Sequence, residues 1–165
     1  MDLYILWLCP IVYTIHIIEE APRFVSWTRR YPKLFTSIFN HKMFILGNTV
    51  WMLYNIVCVL LAILYPAPWS LILGLSTASW IFANSWIHII TTLSSGIYSP
   101  GVITASTLYL PVSIFIYWYF WQQGALDPMI FILSVIIGFA VMYLPFLGTR
   151  RIANLKTLPW IVREK

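Results

Sequence analysis

Along the chain, five long apolar stretches alternate with short polar breaks. They cover residues 3–20, 43–65, 69–93, 101–121 and 128–147. Each is near the ~20 residues that a helix needs to cross a hydrocarbon core of ~30 Å. Pro66 and Pro68 separate the second stretch from the third, 94–100 the third from the fourth, and 122–128 the fourth from the fifth. Proline and glycine at such breaks mark turns, so the pattern predicts five transmembrane helices in one all-α membrane domain spanning 1–165. The loop 21–42 and the tail 149–165 are the basic, non-spanning segments. Trp27, Tyr31 and Phe35 in the loop and Trp160 in the tail suggest that these segments lie on the membrane surface.

Composition narrows the class. Of the 165 residues, 61% are hydrophobic and only 9% charged, with a mean hydropathy of +0.83. A soluble domain carries about 25% charged residues, so a water-soluble fold and disorder are both excluded. The net charge of +5 is too small and too segregated for nucleic acid. Arg23, Arg29, Arg30, Lys33 and Lys42 precede the second stretch, and Arg150, Arg151, Lys156, Arg163 and Lys165 follow the fifth. The turns between carry no Lys or Arg. By the positive-inside rule, loop and tail are cytoplasmic and the N-terminus is outside, a parity that five spans satisfy and four or six do not. The expected location is a bacterial inner membrane, and the first twenty residues lack the features of a cleaved leader. Cys9 and Cys58, both inside apolar runs, read as small packing residues.

The ionisable residues inside the apolar stretches are few: His16, Glu19, Glu20 and His88. Charges at bilayer depth cost at least ~2.5–3.5 kcal/mol, so such groups face one another or a cavity. His16, Glu19 and Glu20, at i, i+3 and i+4, share a helix face, as do Asn84 and His88. At ~1.5 Å per residue, His16 lies about 20 Å and Asn84 about 22 Å below the outer ends of their spans. Glu20 and His88 each lie about one helical turn further down, and Asn48 about 8 Å in from the cytoplasmic end of the second span. Three spans therefore bring polar groups to one layer near the cytoplasmic leaflet.

The runs H-I-I-E-E (16–20) and N-S-W-I-H (84–88) and the pair Pro100-Gly101 resemble the HXXEE domain family of small integral membrane proteins. The resemblance covers almost the whole chain, with three motifs in the family's order. It implies His16, Glu19, Glu20, Asn84, His88, Pro100 and Gly101 as site residues, with no reaction attached.

Two adjacent carboxylates in a low dielectric do not ionise together cheaply, so the pair can supply an acid and a base at once. The expected function is a membrane-embedded enzyme acting on a lipophilic substrate, by isomerisation or hydrolysis, with His16, Glu19, Glu20, Asn84 and His88 as its catalytic set. Asn48, Trp86, Tyr98, Pro100 and Gly101 are candidates for substrate contact, with Phe82 and Tyr109 as further apolar walls. His16, Glu20 and His88 could instead hold a divalent metal such as zinc in a His₂Glu site with an open position. No other cofactor is expected: there is no G-x-S-x-G elbow, no cysteine near the site and no phosphate-binding glycine loop. A small proton-coupled transporter or lipid-binding protein using the same carboxylates is the alternative. The partners expected are the membrane and a lipid or similar small molecule, without nucleic acid; self-association stays open.

Overall fold

The computed structural model describes residues 1–30 and 39–153, with side chains to Tyr143. Among these the chain is all-helical. A 3-10 turn, Leu3–Trp7, leads into α1 (Leu8–Glu20), followed by the short α2 (Phe24–Thr28). Four long helices complete the order: α3 (His41–Leu64), α4 (Pro68–Ser95), α5 (Val102–Gln122) and α6 (Pro128–Ala153). By length and composition, four segments among the described residues can cross a membrane: Leu3–Glu20, α3, α4 and α5. Their ends fall within a few residues of the apolar stretches, and α6 runs on past 147. Ile18, Leu53 and Ile114 are more than half exposed, as lipid-facing side chains would be.

The helices start where the sequence supplies donors' partners or prolines. Asn40 caps α3 by accepting from Met43 N at 3.0 Å, and Asp127 caps α6 by accepting from Ile130 N at 2.8 Å. Pro68 and Pro128 open α4 and α6, where no amide partner is missed. Inside α5, residues Ala105–Tyr109 form a π turn just before Pro111. Proline has no N–H for the carbonyl four residues back and crowds it, so the winding loosens there.

The central helix is α4, whose apolar window is 72% buried, against 22% for α3 and α5. It packs most extensively on α6, then on α5 and then on α3, while α1 sits against α3, α4 and α5. Small residues make the close approach. A Cβ on Gly138 of α6 would fall 2.4 Å from Ser79 Cβ and 2.5 Å from the Ser76 carbonyl, so nothing larger than glycine fits there. Hydroxyl bonds then fix the register. Tyr54 and Ser76 join α3 to α4 at 2.5 Å, and Tyr117 joins Ser79 of α4 at 2.6 Å and Ser134 of α6 at 2.8 Å. Each such bond contributes ~0.6 kcal/mol on average in a membrane. Cys9 and Cys58 are buried and unbridged.

Among the described residues of the expected loop 21–42, His41 and Lys42 belong to α3, and one aromatic residue departs from its expected place. Trp27, expected on the membrane surface, is only 4% exposed and lies beside Phe24 within α2, with ring centroids 5.5 Å apart. Tyr31, Phe35 and Trp160 lie outside the described residues.

Candidate functional site

The last turn of α1, the last two turns of α4 and the start of α5 converge on one buried polar cluster. His16 and Glu20, four residues apart, share a face of α1, and Glu20 Oε1 lies 3.4 Å from His16 Nε2. His88 of α4 brings its Nε2 to 3.2 Å from the same oxygen. The two imidazoles meet edge to face, with centroids 4.9 Å apart. All three residues are buried: His16 is 0%, His88 2% and Glu20 6% exposed.

The far side of each imidazole is anchored. His16 Nδ1 is 2.7 Å from Thr104 Oγ1, and His88 Nδ1 is 3.0 Å from Ser99 Oγ. Ser99 N in turn donates to Thr92 Oγ1 at 3.1 Å. Tyr109, in the π turn, lays its ring against His16 with centroids 4.4 Å apart. Gly101, at φ +97°, lets the backbone pass directly over the pair. A Cβ there would lie 2.6 Å from His16 Cε1 and 3.0 Å from Glu20 Cγ.

Glu19 takes a different direction from Glu20, because successive residues on a helix point about 100° apart. Its carboxylate caps α5. Oε1 accepts from Ile103 N at 3.2 Å, and Oε2 accepts from Thr104 N at 2.8 Å and Thr104 Oγ1 at 2.6 Å. The Tyr98 hydroxyl also donates to Oε1. A carboxylate at a helix N-terminus satisfies orphan amides and the positive end of the dipole together. Burial and the hydrogen bond to Glu19 push the Tyr98 phenol up to about 12, so it remains a donor at neutral pH. Among the described residues neither carboxylate pairs with Arg23.

The structure thus brings together His16, Glu20, His88 and Gly101, with buried Pro100 in front of Gly101, and attaches Glu19 to them through Thr104. Other candidates sit apart. Asn84 is buried one turn before His88 and takes no part in the bonds that hold the cluster. Asn48 accepts from the Tyr13 hydroxyl at 2.6 Å, joining α3 to α1 one turn from His16. Trp86 is 41% exposed beside Phe82, with centroids 6.2 Å apart. Phe82 lines a cleft of about 760 Å³ with Tyr117, Trp118, Trp121 and Phe131. That cleft lies toward the C-terminal end of α5, away from Gly101 and the cluster.

Sequence reasoning missed Thr104 and Ser99, and named Tyr109 only as an apolar wall. The first two flank the Pro100-Gly101 pair closely, the one signal that pointed to them. A carboxylate held between two imidazoles can exchange a proton with either or share a cation with both.

A family model described as "Protein of unknown function with HXXEE motif" matches residues 7–116. That match takes in His16, Glu19, Glu20, Asn84, His88, Pro100, Gly101 and Thr104. No curated protein and no solved structure matches the chain.

Proposed function

The chain belongs to the HXXEE-motif family, and we propose that it is a membrane-embedded enzyme performing acid/base chemistry on a lipophilic substrate. The observation that carries this reading is the placement of Glu20 Oε1 at 3.4 and 3.2 Å from two imidazole nitrogens on different membrane-length helices. Burying a carboxylate costs several kcal/mol unless it is compensated, and a merely structural helix end has no need of that arrangement. Glu20 and the two Nε2 atoms form a proton-exchange unit. Thr104 and Ser99 hold the rings, and Glu19 keeps the start of α5 in place over them. Comparing lipid extracts from cells that express the wild type or Glu20→Gln tests this. One lipophilic species should accumulate with the variant and its product should fall. Identical extracts at equal expression would count against an enzyme.

The reading includes five spans, with the N-terminus outside and the cluster at the level of the cytoplasmic leaflet. The length of α6, 26 residues or about 39 Å, supports the fifth span. The confinement of all ten basic residues to 21–42 and 149–165 supports the orientation. Cysteines introduced at Ser37 and Thr157 should then react with an impermeant thiol reagent only from the cytoplasm, and one at Ala125 only from outside. Labelling of Ala125 and Thr157 from the same side would contradict five spans.

A further inference from the structure

We infer that His16 Nε2, Glu20 Oε1 and His88 Nε2 form a binding site for a divalent metal ion of the zinc type, an inference that rests on the reading of this cluster as the functional centre. The spacing is the first reason. A tetrahedral ion with bonds of about 2.0–2.2 Å holds its donor atoms roughly 3.3–3.5 Å apart. The two edges at Glu20 measure 3.4 and 3.2 Å and fit this spacing, while the edge between the imidazoles, within 4.8 Å, is one that turning of the two rings would close onto the ion. A direct N–H···O bond centres on about 2.9–3.0 Å, so the His16 edge is too long for one.

The hydrogen-bond directions are the second reason. Thr104 has one hydroxyl proton, and the Glu19 carboxylate at 2.6 Å takes it in preference to the Gly101 carbonyl at 3.2 Å. Thr104 Oγ1 can then only accept from His16 Nδ1, 2.7 Å away. A neutral imidazole protonated at Nδ1 presents a lone pair at Nε2. That Nε2 is buried without a hydrogen-bond partner and faces Glu20 Oε1. A lone pair opposite a carboxylate oxygen repels it unless a proton or a metal ion lies between them, and at 3.4 Å the gap is wide for a shared proton and fits an ion.

The surroundings are the third reason. Metal-bound histidines use their other ring nitrogen to hold an outer partner, as His16 does with Thr104 and His88 with Ser99. Two imidazoles and one carboxylate suit zinc and its first-row neighbours better than magnesium or calcium, which favour all-oxygen sets. Three protein ligands leave a fourth position for water. With the ion bound, the exchangeable proton would sit on that water rather than on Glu20 or the two Nε2 atoms, which carry it only in the metal-free protein. Glu19, through Thr104, is a positioning residue that fixes the tautomer of His16.

The test uses the full chain in detergent micelles, stripped with chelator, returned to chelator-free buffer and titrated with Zn(II) and Co(II). Uptake of about one ion per chain is expected, with the visible d–d bands of tetrahedral Co(II). His88→Gln and Glu20→Gln, eluting like the wild type in size exclusion, should lose those bands. Thr104→Val keeps all three ligands but frees His16, and should weaken affinity about 10–100-fold. A well-folded wild type that binds neither ion overturns the inference, and so does uptake unchanged in His88→Gln and Glu20→Gln. If such a metal-free protein still converts its substrate and Glu20→Gln does not, the functional centre stands and the metal alone is wrong. If the ion binds but Glu20→Gln leaves the lipid extracts unchanged, the enzyme reading fails and the metal site stands.

Discussion

Glu20→Gln should lower substrate turnover by about 10²–10⁴-fold while the yield of folded protein stays near that of the wild type. The substitution keeps the side chain's shape in a pocket where Glu20 is 6% exposed, and removes only its charge and its titratable proton. Glu19→Gln should act chiefly on stability, with a smaller loss of turnover as Thr104 loosens its hold on His16. Glu19 accepts from Ile103 N, Thr104 N, Thr104 Oγ1 and the Tyr98 hydroxyl, and an amide replaces one of its acceptor oxygens with a donor. A hydrogen bond to a charged group contributes about 1.5–3 kcal/mol, so the start of α5 should loosen and the protein should unfold at a lower temperature. Thermal unfolding in micelles and turnover on the same preparations separate the two glutamates. Equal effects of the two variants on both readouts would mean that their roles are not divided in this way.

Gly101→Ala is the second large effect. At φ +97° a Cβ is strained by about 1–3 kcal/mol, and here it would also lie 2.6 Å from His16 Cε1 and 3.0 Å from Glu20 Cγ. Either His16 leaves its place against Thr104 or the turn before α5 shifts, so turnover should fall at least about as far as in Glu20→Gln. Gly96→Ala is the control. Gly96 also has a positive φ, +66°, but nothing lies within 4 Å of its would-be Cβ. It should cost roughly 1–2 kcal/mol in stability and leave turnover alone. A Gly101→Ala protein with normal turnover would show that the backbone need not pass over the pair.

Much of this arrangement is legible in the sequence because lipid imposes simple rules. Stretches of about 20 apolar residues fix the helices, and scarce ionisable groups must find one another. The i, i+4 spacing of His16 and Glu20, with the depth count for His88, already puts these three side chains within reach. The depth count also places Asn48 in the same layer, although its partner is Tyr13 rather than the cluster.

What the sequence hides depends on direction and on local backbone. Glu19 and Glu20 share a broad helix face, and only the approach of α5 decides that one caps a helix while the other meets two histidines. Thr104 and Ser99 resemble the other hydroxyls scattered through the spans until the turn at Gly101 folds them onto the rings. The π turn before Pro111 displays Tyr109 to His16, and helical periodicity assumes regular winding. Asn84, though one turn from His88, takes no part in the polar contacts that hold the cluster, so a shared face does not by itself make a bonded pair.

The central claim is that His16, Glu20 and His88 act as one unit. Turnover in a matched set of wild type, Glu20→Gln, His88→Gln and the double variant tests it most directly. Groups that act together are strongly non-additive, so the double variant should fall no further than the worse single variant. Losses that multiply in the double variant, or full turnover in it at normal expression, would contradict the account.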